Sequence, residues 1–236
     1  MPQYLIPAGN IRGGEFFAGG EEASHIVRVA RVRIGDEIEL FDGQGSRYLG
    51  VVKAAGHDGV SGAIKEKLPS PEYRTKLTLC FSMTARQALE SALERCTAAG
   101  AAVFQPLKSA RTQFDISGGW ERKLPRFEQL TVAACKQCGR GRLPEIRGPE
   151  RFDELLLSGG TAVFAAVGGM SPDAAAAALA GKTGIKLFVG PEGGFTAEEL
   201  ALARSKGALF MDLGLHVLRA EDACFAAALA LLTRLG

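Results

Sequence analysis

Gly190-Pro191-Glu192-Gly193-Gly194-Phe195-Thr196-Ala197-Glu198-Glu199-Leu200 follows an apolar run, Ile185-Lys186-Leu187-Phe188-Val189. The run reads as a buried strand and the residues after Thr196 as an amphipathic helix. Thr196 is a favourable N-cap, and Glu199 three residues later completes a capping box. In open α/β sheets, a strand that ends in a Gly/Pro-rich turn at a helix N-terminus is where ligands bind. Glycine lets a flat ligand come close to the main chain. No Lys-Ser/Thr follows the last glycine, so the turn is not a Walker A loop, and G-x-G-x-x-G is absent. A plain structural turn fits these residues equally well, because Gly and Pro punctuate any strand–helix junction.

A second segment breaks the tie. Leu213-Gly214-Leu215-His216-Val217-Leu218-Arg219-Ala220-Glu221-Asp222-Ala223 also follows a short apolar strand, 208–211, and leads into an Ala/Leu-rich helix, 222–235. Two such turns at neighbouring strand ends form one crevice. Outward from them, β and α patterns alternate. Strands are expected at 77–82, 102–106, 161–167 and 185–189, and helices at 86–98, 120–138 and 172–180. This alternation implies a mostly parallel sheet covered by helices. Residues 1–70 differ. Residues 34–41 alternate with period two, Asp42-Gly43-Gln44-Gly45 is a hairpin signal, and 48–52 answers as the partner strand. A further strand is expected at 60–64, after the turn His57-Asp58-Gly59, and a short helix at 21–29. Short strands with Gly-rich turns suggest a small barrel. Leu68-Pro69-Ser70-Pro71 reads as the linker, giving domains 1–70 and 71–236.

The chain has 236 residues, is 47% apolar and carries a formal charge of +2. No apolar run reaches the roughly 18 residues of a membrane span. Met1-Pro2-Gln3-Tyr4 opens no secretory signal, so a cytoplasmic protein is expected. The odd cysteine count, five, points to reduced thiols. Cys135-x-x-Cys138 lacks companion ligands at zinc spacing, since the histidines are His25, His57 and His216, and no metal is expected. Positive charge is clustered despite the small net value: Arg122, Lys123, Arg126, Lys136, Arg140, Arg142, Arg147 and Arg151 in one region, Arg28, Arg31 and Arg33 in another. Such clusters either hold a phosphate backbone or line a solvated face. Arg140 and Arg142, flanked by glycines, favour RNA contact.

The joint pattern resembles the RsmE family, SPOUT-superfamily enzymes that use S-adenosylmethionine to methylate N3 of a uridine in small-subunit (16S) ribosomal RNA. The G-P-E-G-G-F-T turn is matched from Val189 to Leu200, and an L-G-x-R-[IV]-L-R-x-E-T-A segment, with changes, from Leu213 to Ala223. Ala133-Ala134-Cys135-Lys136-Gln137-Cys138-Gly139-Arg140 with Pro144-Glu145-Ile146 is a third match. His25 to Val29, Gly35-Asp36 and Phe41-Asp42-Gly43 form a fourth. The resemblance implies an α/β SPOUT-type C-terminal domain with a trefoil knot, a small N-terminal PUA-like β-barrel and a homodimer. The pattern of elements alone predicts an unknotted chain.

The expected cofactor pocket is built from three loops, 166–170, 190–194 and 213–218. Its residues are Val167 and Gly168; Val189, Gly190, Pro191, Glu192, Gly193 and Gly194; and Leu213, Gly214, Val217, Leu218 and Ala223. Aliphatic side chains cover the faces of an adenine and backbone groups read its edge. Arg219 is the candidate cation for charge developing on the base, or else pairs with Glu221 or Asp222. Glu192 and Glu221 are candidate bases, or else favour helix N-termini. Arg28, Arg31, Arg111, Lys136, Arg140 and Arg142 are the expected RNA contacts. The chain departs from the family at Gln3, at Thr97 to Gly100, and at His216, Ala220 and Asp222. Action at another RNA site, or RNA binding without catalysis, are the competing readings.

Overall fold

The computed structural model describes residues 3–56, 59–82, 85–112 and 118–236. His57 and Asp58, read as part of a turn, lie outside the described residues. Contacts divide the chain into two units: Met1–Glu72 with Val132–Leu143, and Tyr73–Thr131 with Pro144–Gly236. The helix Trp120–Cys138 therefore contributes residues to both. Among the described residues, no helix is long and apolar enough to cross a membrane.

The first unit is built on a six-stranded sheet. Its order is Gln3–Leu5, Glu37–Phe41, Arg47–Gly56, Gly59–Leu68, Glu15–Ala18, Ile11–Arg12. Only Gln3–Leu5 pairs parallel; the other ladders are antiparallel. The Asp42 turn forms as expected, with Asp42 Oδ1 accepting from the amides of Gln44 and Ser46 at 2.8 and 2.9 Å. Ile38 and Leu40 point inward to Tyr4, Phe16, Ile26 and Val60. The strand expected from residue 34 starts only at Glu37. Gly35 sits at φ +95° and Asp36 Oδ2 accepts from the Arg33 amide at 2.7 Å, so a turn occupies the first three positions. The three short strands Gln3–Leu5, Ile11–Arg12 and Glu15–Ala18 carry too few residues to show a period.

Gln3, a departure from the family pattern, is fully engaged. Its Nε2 donates to the carbonyls of Cys135 and Arg140 at 2.7 and 2.9 Å, and its Oε1 accepts from Arg47 Nε at 3.0 Å. An arginine there could only donate and would face Arg47 with no acceptor. Gln3 is 1% exposed, so Gln3→Leu takes a partner from the Arg140 carbonyl and from a guanidinium nitrogen away from water, while the Cys135 carbonyl keeps the Gly139 and Arg140 amides. We expect this variant to destabilise the first unit by about 2–4 kcal/mol. Chemical denaturation followed by amide exchange within that unit measures it; an unchanged midpoint would show that the network carries no stability.

The second unit holds a seven-stranded, all-parallel sheet. Its main order is Glu150–Arg151, Val103–Lys108, Lys76–Ser82, Gly184–Val189, Thr161–Met170, Leu209–Met211, with Glu145–Ile146 also paired to Val103–Lys108. Both faces are buried, as a parallel sheet requires. Leu77, Leu79, Phe81, Val163, Ile185, Leu187 and Val189 join one core with Leu89, Leu93, Phe127 and Leu231 from the helices Arg86–Ala99, Trp120–Cys138 and Ala220–Leu235. Cys80, Phe164 and Phe188, at the alternate positions, join the other with Phe152, Leu155, Phe195 and Ala203. The α/β fold with helices on both faces of a parallel sheet is as expected, and the helix Phe152–Leu157 is an addition. From Thr161–Met170 the chain steps inward to Gly184–Val189. It then returns past Thr161–Met170 to lay Leu209–Met211 on its outer side, which puts three strand ends side by side.

Candidate cofactor site and basic residues

The Gly190 turn is fixed from both ends. At its exit the capping box is complete: Thr196 Oγ1 accepts from the Glu199 amide at 3.2 Å, and Glu199 Oε2 from the Thr196 amide at 2.8 Å. Glu199 Oε1 also accepts from the Ala110 amide at 2.8 Å, so one carboxylate ties the helix start to a neighbouring loop. In the middle, the Gly194 amide donates to the Pro191 carbonyl at 2.8 Å, with Gly194 at φ +66°. Phe195 anchors the turn below, its ring centroid 5.2 Å from Phe164 and 5.3 Å from Phe152, in a cluster where Phe164 and Phe188 stack at 4.6 Å.

The expected 166–170 loop is a bulge inside a longer strand. Thr161–Met170 pairs with Leu209–Met211 at Ala165 and again at Met170, both opposite Met211, and the residues between are thrown outward. Gly169 makes this possible. A Cβ there would lie 2.5 Å from the Phe210 carbonyl oxygen and 2.7 Å from the Met211 amide nitrogen.

The three segments meet around a cavity of about 350 Å³, within the range of small-molecule sites. Val167 comes from the first; Val189, Gly190, Pro191, Glu192 and Gly194 from the second; Leu213, Gly214, Val217, Leu218 and Ala223 from the third. Ala165, Ala166, Phe195, Leu200, Asp212, His216 and Ala220 complete the lining. Gly168 and Gly193, also expected, are outside it: the Gly168 amide donates to Asp212, and the Gly193 carbonyl accepts from Arg111. Of the lining, Val167 and Val217 are 81% and 86% exposed, and Leu215, in the third segment but outside the lining, is 99% exposed.

Asp212 was not singled out in the sequence. Its Oδ2 accepts from the Gly168 amide at 2.7 Å and its Oδ1 from the Gly214 amide at 3.0 Å, so it clasps two of the three cavity segments together. The available signal was an Asp directly after a strand and two before a glycine, an Asx-turn pattern. The Gly214 and then the Gly168 amide hold its carboxyl below the usual aspartate range. A lowered carboxylate stabilises the folded clasp above the ordinary value of about 3.9 and ceases to do so as pH falls through its lowered value. Protection of the Gly168 and Gly214 amides from exchange is therefore expected to be flat from neutrality to about pH 4 and lost below it. Asp212→Ala should remove it at every pH. Loss already at pH 6 would contradict the clasp.

Arg219 and Glu221 lie outside the lining. Arg219 is the N-cap residue of the helix Ala220–Leu235, and its exposed side chain makes no hydrogen bond or ion pair among the described residues. The expected alternative pairing with Asp222 does not form, because Asp222 is bonded to Arg95 at 2.5 Å. Glu221, in the first turn of that helix, faces a narrow gap with Ser82 and Gly190. Glu192 is exposed and lines the cavity.

The basic residues separate into two groups. Arg28, Arg31 and Arg142 are exposed, and their guanidinium groups make no hydrogen bond or ion pair among the described residues. The other three are each engaged with another group of the chain. Arg140 is 8% exposed and its guanidinium is held by Glu72 at 3.0 Å. Lys136 is paired with Glu22 at 2.6 Å. Arg111 Nη1 donates to the Gly193 carbonyl at 2.6 Å, which places it on the glycine turn. Burial pushes the Cys135 thiol up to about 12, so it is not a thiolate at neutral pH. Its Sγ faces the Arg142 carbonyl at 3.5 Å, a structural role.

The family model described as an RNA methyltransferase domain matches residues 71–232, and one described as an RNA methyltransferase PUA domain matches residues 17–65. The ribosomal RNA small subunit methyltransferase E of Mycobacterium tuberculosis is 31% identical over 218 residues, covering 86% of this chain and 80% of its own. The protein of the same name from Synechocystis is 29% identical over 205 residues, covering 84% and 66%. The crystal structure of a ribosomal RNA small subunit methyltransferase E from Neisseria gonorrhoeae bound to S-adenosyl methionine superposes with a TM-score of 0.87. It is 24% identical and covers 99% of this chain and 97% of its own, a likeness of fold.

Proposed function

Because the chain belongs to the RNA methyltransferase family whose model spans its residues 71–232, we propose that it transfers a methyl group from S-adenosylmethionine to a uridine N3 of small-subunit ribosomal RNA. The observation that carries this reading is the cavity shared by the three strand-end segments, apolar on its walls and open to backbone at its glycines. Leu213 and Leu218 suit the faces of an adenine, and the main chain of Gly190 and Gly194 suits its polar edge. The residues present fit this cofactor. When bound, it supplies an activated methyl on a sulfonium, so the chain's own task is orientation and electrostatics.

Uridine N3 carries a proton at neutral pH. Its loss places negative charge on the flanking carbonyl oxygens, and Arg219, unpaired at the helix start, is the cation we assign to that charge. Glu192 is the better placed of the two candidate bases, since it lines the cavity and Glu221 does not. Arg28, Arg31 and Arg142 of the first unit are the assigned phosphate contacts, in keeping with its match to a PUA domain. The trefoil knot, cytoplasmic location and homodimer follow from the family resemblance. Val167, Leu215, Val217 and Leu218 form an exposed apolar rim suited to a second copy of the chain.

The test is base-modification mapping of small-subunit ribosomal RNA from cells with and without the gene, joined to transfer of labelled methyl from S-adenosylmethionine by the purified protein. One uridine N3 methyl that disappears with the gene supports the proposal. A methyl lost from another RNA redirects the substrate, and absence of any transfer leaves an RNA-binding protein.

A further inference from the structure

The cavity has an uneven charge. Among the described residues, its lining contains two carboxylates, Glu192 and Asp212, and neither lysine nor arginine. They come from different walls. Glu192 stands on the turn closed by the Gly194 amide on the Pro191 carbonyl, while Asp212 is fixed at the end of Leu209–Met211 by the Gly168 and Gly214 amides. Two cations border the site, and neither lines it. Arg111 lies on the Gly193 carbonyl and Arg219 is at the helix N-cap. A cleft lined by one sign of charge, with low-dielectric walls, focuses its field inward. The walls here are largely aliphatic.

Methyl transfer changes the charge of the ligand in such a cleft. The donor is a sulfonium, and the product left after the methyl departs is a neutral thioether, so the two differ by one positive charge and one methyl group. We propose that Glu192 and Asp212 make the cavity selective for the cationic methyl donor over its thioether product, so that turnover itself weakens the hold on the spent cofactor. The inference rests on the cofactor assignment above. Shape cannot supply this selectivity, because one methyl in an apolar pocket discriminates weakly.

The test is calorimetric titration of the protein at pH 8 with S-adenosylmethionine and separately with S-adenosylhomocysteine, in low and high salt. The wild type should prefer the sulfonium. Glu192→Gln should reduce the ratio of the two affinities about fivefold, mainly by weakening the sulfonium, while thioether affinity stays within about twofold. Raising salt to about 1 M, where the screening length falls to about 3 Å, should shrink the wild-type ratio in the same sense. Asp212→Asn should lower the ratio too, along with overall affinity, since it also loosens the clasp. Glu198→Gln, on the adjoining helix and outside the lining, should leave the ratio unchanged. Both ligands binding with a ratio insensitive to Glu192→Gln and to salt would overturn the inference and leave the cofactor assignment standing. Failure of the wild type to bind either ligand would overturn both.

Discussion

Gly169→Ala is expected to weaken cofactor binding about a hundredfold or more while the first unit stays folded. The new Cβ would lie 2.5, 2.6 and 2.7 Å from the Phe210 oxygen, the Phe210 carbonyl carbon and the Met211 nitrogen, all backbone atoms. Those atoms have nowhere to go. Phe210 stacks on Phe164 with centroids 5.4 Å apart, the Arg204 guanidinium lies over the Phe210 ring at 4.7 Å, and Met211 is fully buried. The 166–170 bulge must therefore move, and with it the Gly168 amide that Asp212 holds. Overpacking of this kind costs about 1–3 kcal/mol in stability. The cavity, assembled from three segments, should lose affinity by about a hundredfold or more, the equivalent of about 2.7 kcal/mol. Gly181→Ala is the control: φ is +77° but nothing lies within 4 Å of the new atom. It should cost about 1 kcal/mol in stability and leave binding intact. Calorimetry with S-adenosylmethionine and amide exchange in residues 3–56 report the two halves of the prediction. Undiminished binding by Gly169→Ala would show that the bulge does not shape the site.

The second large effect is on turnover. Arg219→Ala should lower kcat about 100- to 1000-fold, the scale of removing one donor from a charge-stabilising site, with cofactor affinity within about twofold. The structure separates these two readouts. The Arg219 side chain does not cap its helix, pairs with no described residue and lies outside the cavity lining, so its removal breaks nothing that holds the cofactor. Arg219→Lys keeps the charge and should recover part of the rate. Equal losses in kcat and affinity would make Arg219 a structural residue, and an unchanged kcat would remove it from the chemistry.

What the sequence revealed depended on whether the information was local. The Gly190–Leu200 turn was legible because its capping box is complete within four residues, and Thr196 and Glu199 form it as read. Strands of the second unit were legible because both of their faces are buried, leaving runs such as Ile185 to Val189 apolar but for Lys186. Pairings at long range were invisible. Arg140 and Lys136 looked like free basic residues because Glu72 and Glu22, their partners, lie 68 and 114 positions away. Asp212 went unnoticed, since its two amide donors become neighbours only when Thr161–Met170 bulges. Phe195 counted as a motif letter until the stack of Phe164 and Phe188 showed what it rests on.

A crystal structure of the protein soaked with S-adenosylmethionine tests the central claim most directly. The account predicts adenosyl density between residues 189–194 and 213–218, with Asp212 still bonded to Gly168 and Gly214. Density in the groove of about 620 Å³ lined by Arg74, Lys182 and Arg234, with the glycine-lined cavity empty, would contradict it.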